Sequence, residues 1–594
     1  MVKEKWMVYS KKAEFYELAK KFHISPVTAR VIRNRDIILE EDYDKFLNGN
    51  IDSLYNPYLL KDMEKATDIL LNAIEENKNI RVIGDYDIDG ICSTYILTRG
   101  ISIIGGNVTM DIPDRIKDGY GINEAIIKKA KNDNIDLLIT CDNGIAAIEE
   151  IKVAKELGMM VIVTDHHQVP FDMDGTEKVY KRVCADAVVN HKQPDCEYPF
   201  KELCGAAITY RFMMALYLKL QEKNDERTVL LKSFEDEMIQ FAAIATIGDV
   251  VSLTNENRII AKEGLRRIPN TSNYGLRSLL RMNELENAKI SSFHIGFIIG
   301  PCLNATGRLE SAKKGYKLLC ATSEAEADVM AAELVELNKT RKDMTKQGEL
   351  RACELAEQYA DNKVLVIYIP DVHESIAGIV AGRIREKYNK PTIVLTDGED
   401  MVKGSGRSIE GYDMYDGINE CSYLLERFGG HTMAAGMSLK KENVDKFRES
   451  LNEKCELTEE DFVRKVWIDV PMPISYITEE LIEDLSNVEP FGKDNEKPVF
   501  AIKDVTIQRM NLIGANRDIV KMTIVDNGNI CTGMMFTGTE DFFMALSEKY
   551  DEEQISKLKM GIKSDIKASF TYYPVVNEYR GNKSLQINIT GFIV

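Results

Sequence analysis

Met160-Val-Ile-Val-Thr-Asp-His-His167 is a β-branched run that stops at an acid followed by the only paired histidines in the chain. Two runs upstream end in the same way, Arg81-Val-Ile-Gly-Asp-Tyr-Asp-Ile-Asp-Gly90 and Ile135-Asp-Leu-Leu-Ile-Thr-Cys-Asp-Asn-Gly144. A fourth acid, Asp249, closes the apolar run 241–248. Carboxylates and imidazoles collected at successive strand ends can hold divalent metals in a crevice of an α/β sheet. Such a set points to phosphate chemistry, because metal ions both make hydroxide and neutralise phosphoryl oxygens.

Around these runs, residues 80–190 alternate short β-branched segments (81–84, 108–112, 137–140, 161–164, 187–190) with amphipathic ones. That alternation predicts a mostly parallel sheet with helices on both faces. Residues 1–75 read as short helices, with a break at Tyr55-Asn-Pro-Tyr58 before a helix over 63–76, and residues 200–290 read as mainly helical. From Ser323 to about Tyr359 the chain is rich in Ala, Glu, Leu and Lys, which predicts a long connecting helix. Ser323 with Glu326 forms a capping box at its start, and Gly348 is the point where it could break.

A second α/β unit runs from Val364-Leu-Val-Ile-Tyr368 through Pro391-Thr-Ile-Val-Leu395 to Gly436-Met-Ser-Leu439, with helices expected over 376–388 and 414–428. Beyond about 460 the pattern turns to short strands (466–470, 499–502, 520–525, 532–536, 566–573, 585–589) with one helix near 538–549. This fits a small barrel of the OB type. The expected architecture is therefore two parallel-sheet α/β domains joined by a long helix, plus a C-terminal β-barrel. The expected segments are 1–75 (helical extension), 76–315, 316–360 (long helix), 361–458 and 459–594 (barrel).

Composition sets the bounds. At 594 residues, 44% hydrophobic and 29% charged, the chain needs several cores and reads as soluble and globular. No apolar run reaches the roughly 18 residues of a membrane span, and Met1-Val-Lys-Glu-Lys-Trp6 opens no signal-peptide core. Eleven cysteines without a C-x-x-C pair exclude a zinc ribbon and a disulfide framework, so a reduced, cytoplasmic protein is expected. A net charge of −19 weighs against non-specific nucleic-acid binding, yet leaves room for a local basic channel on an acidic body.

In extended chain, residues two apart face one side, so Asp85, Asp87 and Asp89 could aim together, with Gly90 opening a helix over 91–99. Alone, such a loop reads equally as a turn in which Asp caps a helix; Asp142 reads as a turn residue and Asp249 as a helix end. Together with the histidine pair they form a gathering of like charges whose usual remedy is a bound dication. Mixed His and carboxylate ligation suits Mn²⁺, Co²⁺ or Zn²⁺ better than an all-oxygen Mg²⁺ cage, with Mg²⁺ remaining an option.

These motifs, in this order, resemble the DHH phosphoesterase superfamily and within it the RecJ-type single-strand exonucleases. Phe46-Leu-Asn48, Gly84-Asp-Tyr-Asp-Ile-Asp-Gly90, Pro113-Asp-Arg115, Asp118-Gly-Tyr-Gly121, Cys141-Asp-Asn-Gly-Ile145 and Asp165-His-His167 carry the first half. Asn190, Gln193-Pro-Asp-Cys196, Tyr198-Pro-Phe200, Leu203-Cys-Gly-Ala206, Gly248-Asp-Val-Val251, Glu256-Asn-Arg258, Pro301, Asn304-Ala305 and Gly307-Arg-Leu309 continue it. Gly378-Ile-Val-Ala381, Arg383, Gly404-Ser-Gly-Arg-Ser408, Phe428-Gly-Gly-His431 and Ala434-Ala-Gly436 look like the DHH-associated domain, and Pro490-Phe-Gly492 with Asn495 leads into the barrel.

The resemblance implies a two-metal site of Asp85, Asp87, Asp89, Asp142, His166 and Asp249, with Mn²⁺ first and Mg²⁺ as the alternative. Asp142 and His167 would act on the scissile phosphate, His167 as a polarising or proton-handling group. Arg308, Arg383, Arg407, Ser408, Gly430 and His431 would bind substrate. Some relatives place a His four residues before the acid corresponding to Asp87, where this chain has Ile83. Cys302 and Val372 stand where the family usually carries Arg and Trp, and His191 replaces a Pro after Asn190. These departures bear on strand affinity more than on chemistry.

The implied activity is 5′-to-3′ hydrolysis of single-stranded DNA to 5′-mononucleotides in repair and recombination. The chain would act as a monomer beside a helicase and a single-strand-binding protein, since it has no P-loop of its own and no membrane role. A DHH phosphodiesterase for short oligonucleotides or cyclic dinucleotides is the alternative, and a non-enzymatic scaffold with lost ligands is a third. In the barrel, Phe570, Tyr572, Tyr573, Tyr579, Arg580 and Lys583 are candidates to grip a strand, although alternating aromatics more often form core.

Overall fold

The computed structural model describes residues 3–119, 121–175, 177–579 and 581–594. Its first sheet contains β1 (Asn79–Ile83), β2 (Asn107–Asp111), β3 (Leu137–Cys141), β4 (Met160–Thr164) and β5 (Ala187–Val189). All pairings are parallel, in the order β2-β1-β3-β4-β5. Every residue of β3 is buried, as expected of a central parallel strand covered on both faces. The chain leaves β1 toward β2 and returns to β3 on the other side. The crevice beyond the ends of β1 and β3 is thus a topological switch point, the usual ligand position in such sheets.

Two largely buried helices, α1 (Ile88–Ile103) and α2 (Gly205–Glu222), pack on this sheet, and α3 (Arg227–Gly248) packs against both of them. A helical run of Ser292–His294, a π turn over Ile295–Ile299 and α4 (Gly300–Leu309) follows. The chain then enters α5, Glu324–Gln358, which is unbroken. Gly348 does not interrupt it. A Cβ there would lie 3.0 Å from Val380 and 3.3 Å from Val372, so the glycine serves close packing against α6 (Glu374–Tyr388). Ser323 accepts the Glu326 amide at 3.3 Å, but the Glu326 carboxylate reaches the Thr322 amide instead of closing the box on Ser323.

The second sheet holds β6 (Leu365–Tyr368), β7 (Thr392–Asp397), β8 (Val402–Arg407), β9 (Arg427–His431) and β10 (Ala434–Leu439), ordered β9-β10-β8-β7-β6. Only β6 and β7 run parallel. The helix expected over 414–428 is confined to Met414–Asn419, and residues 427–431 are the edge strand β9. Pairing with β10 there prevails over local helix propensity.

Six strands build the last sheet: β11 (Val470–Pro471), β12 (Phe500–Ile513), β13 (Ile519–Asp526), β14 (Asn529–Met535), β15 (Ile566–Tyr579) and β16 (Asn582–Ile593). Pairing of β12 with β15 closes it into a barrel. Val31, Ile32, Tyr43 and Phe46 share one apolar core with Phe500, Ile507, Phe570 and Tyr572 of the barrel. The strand Glu4–Val8 pairs in parallel with Arg464–Ile468, a pairing that the helical reading of residues 1–75 did not anticipate. The buried Arg258 guanidinium joins three regions, donating to the carbonyls of Phe46, Val488 and Asn487 at 2.7–2.9 Å. Among the described residues no helix is long and apolar enough to cross a membrane.

Candidate metal centre and the cleft beside it

Asp87 caps α1, its Oδ1 accepting the amides of Asp89 and Gly90 at 2.9 and 3.1 Å. The helix cap is thus observed at this loop, and it leaves the acids close enough together to serve a metal as well. Because the chain is helical from Ile88, the alternation expected of Asp85, Asp87 and Asp89 stops after Asp87. Asp85 and Asp87 group with Asp142, while Asp89 groups with His166 and Asp249; a third group joins Asp142, His166 and His167. Within each group the candidate ligand atoms lie within 4.8 Å of one another.

His166 Nε2 stands 3.0 Å from Asp142 Oδ1, 3.6 Å from Asp89 Oδ2 and 3.8 Å from Asp249 Oδ2. Asp142 occupies a left-handed backbone conformation (φ 59°) at the end of β3, a position that Asp tolerates better than most residues. Asp89 faces the N-terminus of α2 and accepts the amides of Gly205 and Ala206 at 2.6 and 2.7 Å.

The electrostatics fit a cation. Burial, then the Asp87 charge, raises the Asp85 carboxyl well above its ordinary range and Asp89 to about 6. Burial, then Asp89, raises Asp142 and brings Asp249 to about 8. Asp85 Oδ1 is buried without a hydrogen-bond partner. Burial, then the His167 charge, depresses His166, leaving it a neutral imidazole able to bind metal.

Asp165, which the ligand reading passed over, organises the pair. Its Oδ1 accepts the amides of His166 and His167 and lies 2.8 Å from His167 Nδ1; its Oδ2 accepts the Ile145 amide at 2.9 Å. Burial alone would raise this acid, but the His167 hydrogen bond and the His167 charge bring it to about 2. Burial lowers His167, and the Asp165 hydrogen bond and charge outweigh it, pushing the imidazole up to about 9.

Beside the metal centre lies a cleft of about 340 Å³ between α4 and the second sheet. Arg115, Arg308, Lys403 and Arg407 line it, together with Tyr86, Ser405 and Glu374, whose carboxylate pairs with Lys403 at 2.6 Å. Arg308 Nη1 donates to the Ser375 carbonyl of α6 at 2.7 Å, tying the two α/β domains across the cleft. Arg407 donates to Ser405 Oγ and the Gly406 carbonyl. Gly378 makes room for it, since a Cβ there would sit 2.7 Å from the guanidinium. Burial, then neighbouring arginine charges, lowers Arg308 to about 10 and also lowers Arg407.

Four expected substrate residues lie elsewhere. Ser408 is buried and its hydroxyl donates to the Tyr412 carbonyl, because it follows Arg407 by one residue and so faces the other side of β8. Arg383 sits five residues beyond Gly378, turned off the cleft face of α6 toward Glu349 of α5. Gly430 and His431 are exposed on β9 and are not among the cleft's lining residues. In the barrel, Phe570, Tyr572 and Tyr573 are buried core, and Tyr572 donates to the Met472 carbonyl. Lys583 is exposed. Arg580 and the Tyr579 side chain lie outside the described residues.

Residues 79–246 match the family model of the DHH family, N-terminal domain, residues 361–457 the DHHA1 domain, and residues 468–591 the RecJ OB domain. The single-stranded-DNA-specific exonuclease RecJ of Salmonella typhimurium is 31% identical over 583 residues, which is 95% of each chain. That of Bacillus subtilis is 37% identical over 512 residues, 85% of this chain but 62% of the relative's length. This chain belongs to the RecJ exonuclease family.

A crystal structure of RecJ from Thermus thermophilus in complex with Mn²⁺ shares the fold, with a TM-score of 0.79 at 25% identity over 99% of this chain and 79% of that one. The departures from the RecJ pattern fall into helix packing. Cys302 is buried with its Sγ 3.4 Å from Asn338 Nδ2 of α5, and Val372 is buried against Gly348. Neither lines the cleft. His191 is buried, its Nε2 2.7 Å from the Lys201 carbonyl.

Proposed function

We propose that this chain hydrolyses single-stranded DNA from the 5′ end, releasing 5′-mononucleotides. The observation that carries the reading is the placement of four cations, Arg115, Arg308, Lys403 and Arg407, in a cleft directly beside the carboxylate–histidine centre. Two divalent ions, Mn²⁺ first and Mg²⁺ as the alternative, would be held by Asp85, Asp87, Asp89, Asp142, His166 and Asp249, with Asp142 shared. Ions bound there supply Lewis acidity toward water and the phosphate ester.

The chain's own residues do the rest. Arg308 and Arg407 hold the phosphate of the strand end, with Arg115 and Lys403 adding positive potential. Asp165 keeps His167 cationic through Nδ1, so the proton on Nε2 is available to the departing 3′-oxygen. Asp89 is fixed by the α2 amides and holds its carboxylate in place as charge moves nearby. The domains behave as a catalytic unit, a cleft-closing unit and a barrel clamp. The chain works as a cytoplasmic monomer, with a helicase and a single-strand-binding protein preparing its substrate.

Digestion of 5′- and 3′-labelled single strands with added Mn²⁺ or Mg²⁺, beside short oligonucleotides and cyclic dinucleotides, tests this. Mononucleotide release from the 5′ label is expected. Hydrolysis confined to dinucleotides would replace the reading by a DHH phosphodiesterase, a class that lacks the barrel. No hydrolysis with either metal would replace it by a scaffold, although Asp87, Asp142, His166 and Asp249 all keep side chains able to bind metal.

A further inference from the structure

Phe293 and Phe297 lie on the surface, 59% and 65% exposed, with their rings stacked at 5.1 Å and 26°. Single exposed apolar side chains are ordinary, but an exposed stacked pair presents a flat aromatic face to water. Phe293 precedes the π turn Ile295–Ile299 and Phe297 stands at its centre. Such turns often mark functional sites, because they re-aim the side chains around them.

Position makes the pair informative. Residues 293, 297, 301, 304 and 308 recur every three or four positions along one helical run, so they follow one side of it. At its far end Arg308 lines the cationic cleft, and Asn304 Oδ1 accepts the Ile88 amide beside Asp87. From Phe293 to Arg308 the helical rise is about 22 Å. At its near end the run touches the segment that leads into the barrel: Ser292 Oγ donates to the Phe491 carbonyl, and the Leu253 amide, four residues past Asp249, donates to the Lys493 carbonyl. The aromatic face therefore lies at the barrel-side end of a helical run whose other end lines the cleft; exposed Lys493 follows Phe491 by two residues, and Lys289, four residues before Phe293, pairs with Glu489 at 3.2 Å.

We propose that Phe293 and Phe297 form a stacking platform for the bases of a single strand as it passes from the metal centre toward the barrel. The inference rests on the single-strand reading above and gives the strand a path. Rings that stack on bases are indifferent to sequence, because every base has a π face, which suits an enzyme that must advance along any strand. Exposed Lys493, in the segment that Ser292 contacts, supplies positive charge for the phosphates between those bases.

The test uses the full chain carrying Asp142→Ala, so that the strand is not cut, and a fluorescein-labelled thirty-nucleotide oligothymidylate. F293A/F297A and F293L/F297L are each expected to raise Kd by about ten-fold or more, while F293W/F297W stays within about two-fold of the parent. The leucine pair keeps apolar bulk without a ring, so it decides the matter even if the alanine pair folds poorly. Leucine binding as tightly as the parent would overturn stacking and make the face an apolar contact for a protein. Alanine and leucine pairs both matching the parent would overturn the platform while leaving the strand reading intact. A parent with no affinity for the strand would overturn both.

Discussion

Asp165 Oδ1 receives three groups of the same motif, the amides of His166 and His167 and the His167 imidazole at 2.8 Å. One carboxylate thus fixes the backbone that presents one histidine and the charge of the other. Asp165→Asn should keep much of the shape but lose the charge that holds His167 near 9. We expect kcat to fall about 10²–10³-fold and the alkaline limb of the pH–rate profile to move toward neutrality. An unchanged limb would separate His167 from proton handling.

Asp142→Ala and His166→Ala remove proposed metal ligands, not core volume. Each should abolish hydrolysis while leaving the metal-free thermal midpoint within a few degrees of the parent, and each should blunt the rise in that midpoint on adding Mn²⁺. Near-normal turnover with metal supplied would remove the metal mechanism.

The raised acids make stability depend on pH in a stated direction. Asp89 and Asp249 hold protons up to about 6 and about 8 in the folded, metal-free chain, whereas unfolded Asp releases them near 3.9. A folded pKa above the unfolded one gives a contribution that is complete at low pH and is lost as pH rises through the folded value. His167, raised to about 9, acts in the same sense. In EDTA the thermal midpoint should therefore fall between pH 6 and pH 8.5, and saturating Mn²⁺ should flatten that fall while releasing protons. A metal-free midpoint that rises over this interval would show that the cluster is not strained by its own charge.

Arg407→Ala deletes a charge-assisted phosphate contact of about 1.5–3 kcal/mol and should raise KM by about ten- to a hundred-fold. Ser408→Ala is the control. Its hydroxyl serves the Tyr412 carbonyl, so it should cost about 1 kcal/mol of stability with KM unchanged. Steady-state kinetics on labelled strands, beside denaturant titration, reads both.

Deletion of the barrel must respect the shared core. A chain ending at 457 leaves the buried faces of Val31, Ile32, Tyr43 and Phe46 bare and should aggregate. Residues 50–457 should stay soluble, bind metal and cleave very short oligonucleotides, with affinity for long strands lost most visibly at high salt. If residues 50–457 degrade long strands as well as the full chain does, the barrel serves docking to another protein.

The carboxylate–histidine cluster was legible because Asp85, Asp142 and His166 follow β-branched runs, and a strand end projects whatever follows it into the crevice; Asp249 joins them from the end of α3. The cleft was only half legible. Alternation along β8 places Lys403, Ser405 and Arg407 on one face and turns Ser408 away, and applying period two to the motif would have found Lys403 and rejected Ser408. Arg383 needed the helical angle from Gly378. Asp165 went unassigned because its partners are backbone amides and a neighbouring imidazole, which no spacing reveals. The hairpin of β9 and β10 was hidden by a helix-like composition over 414–428, since long-range pairing leaves little trace in a local window. The strand Glu4–Val8 was hidden for the same reason, its partner being more than 450 residues away.

That last pairing sets an order of events during synthesis. Residues 4–8 are made before both α/β domains, yet their partners Arg464–Ile468 are made after them. The catalytic sheet, closed by contacts within residues 60–334, can mature while the first helices still wait for the barrel. A nascent chain thus passes through a stage in which the cutting centre is assembled but its strand-holding module is not, and only synthesis of the residues beyond 464 joins the two.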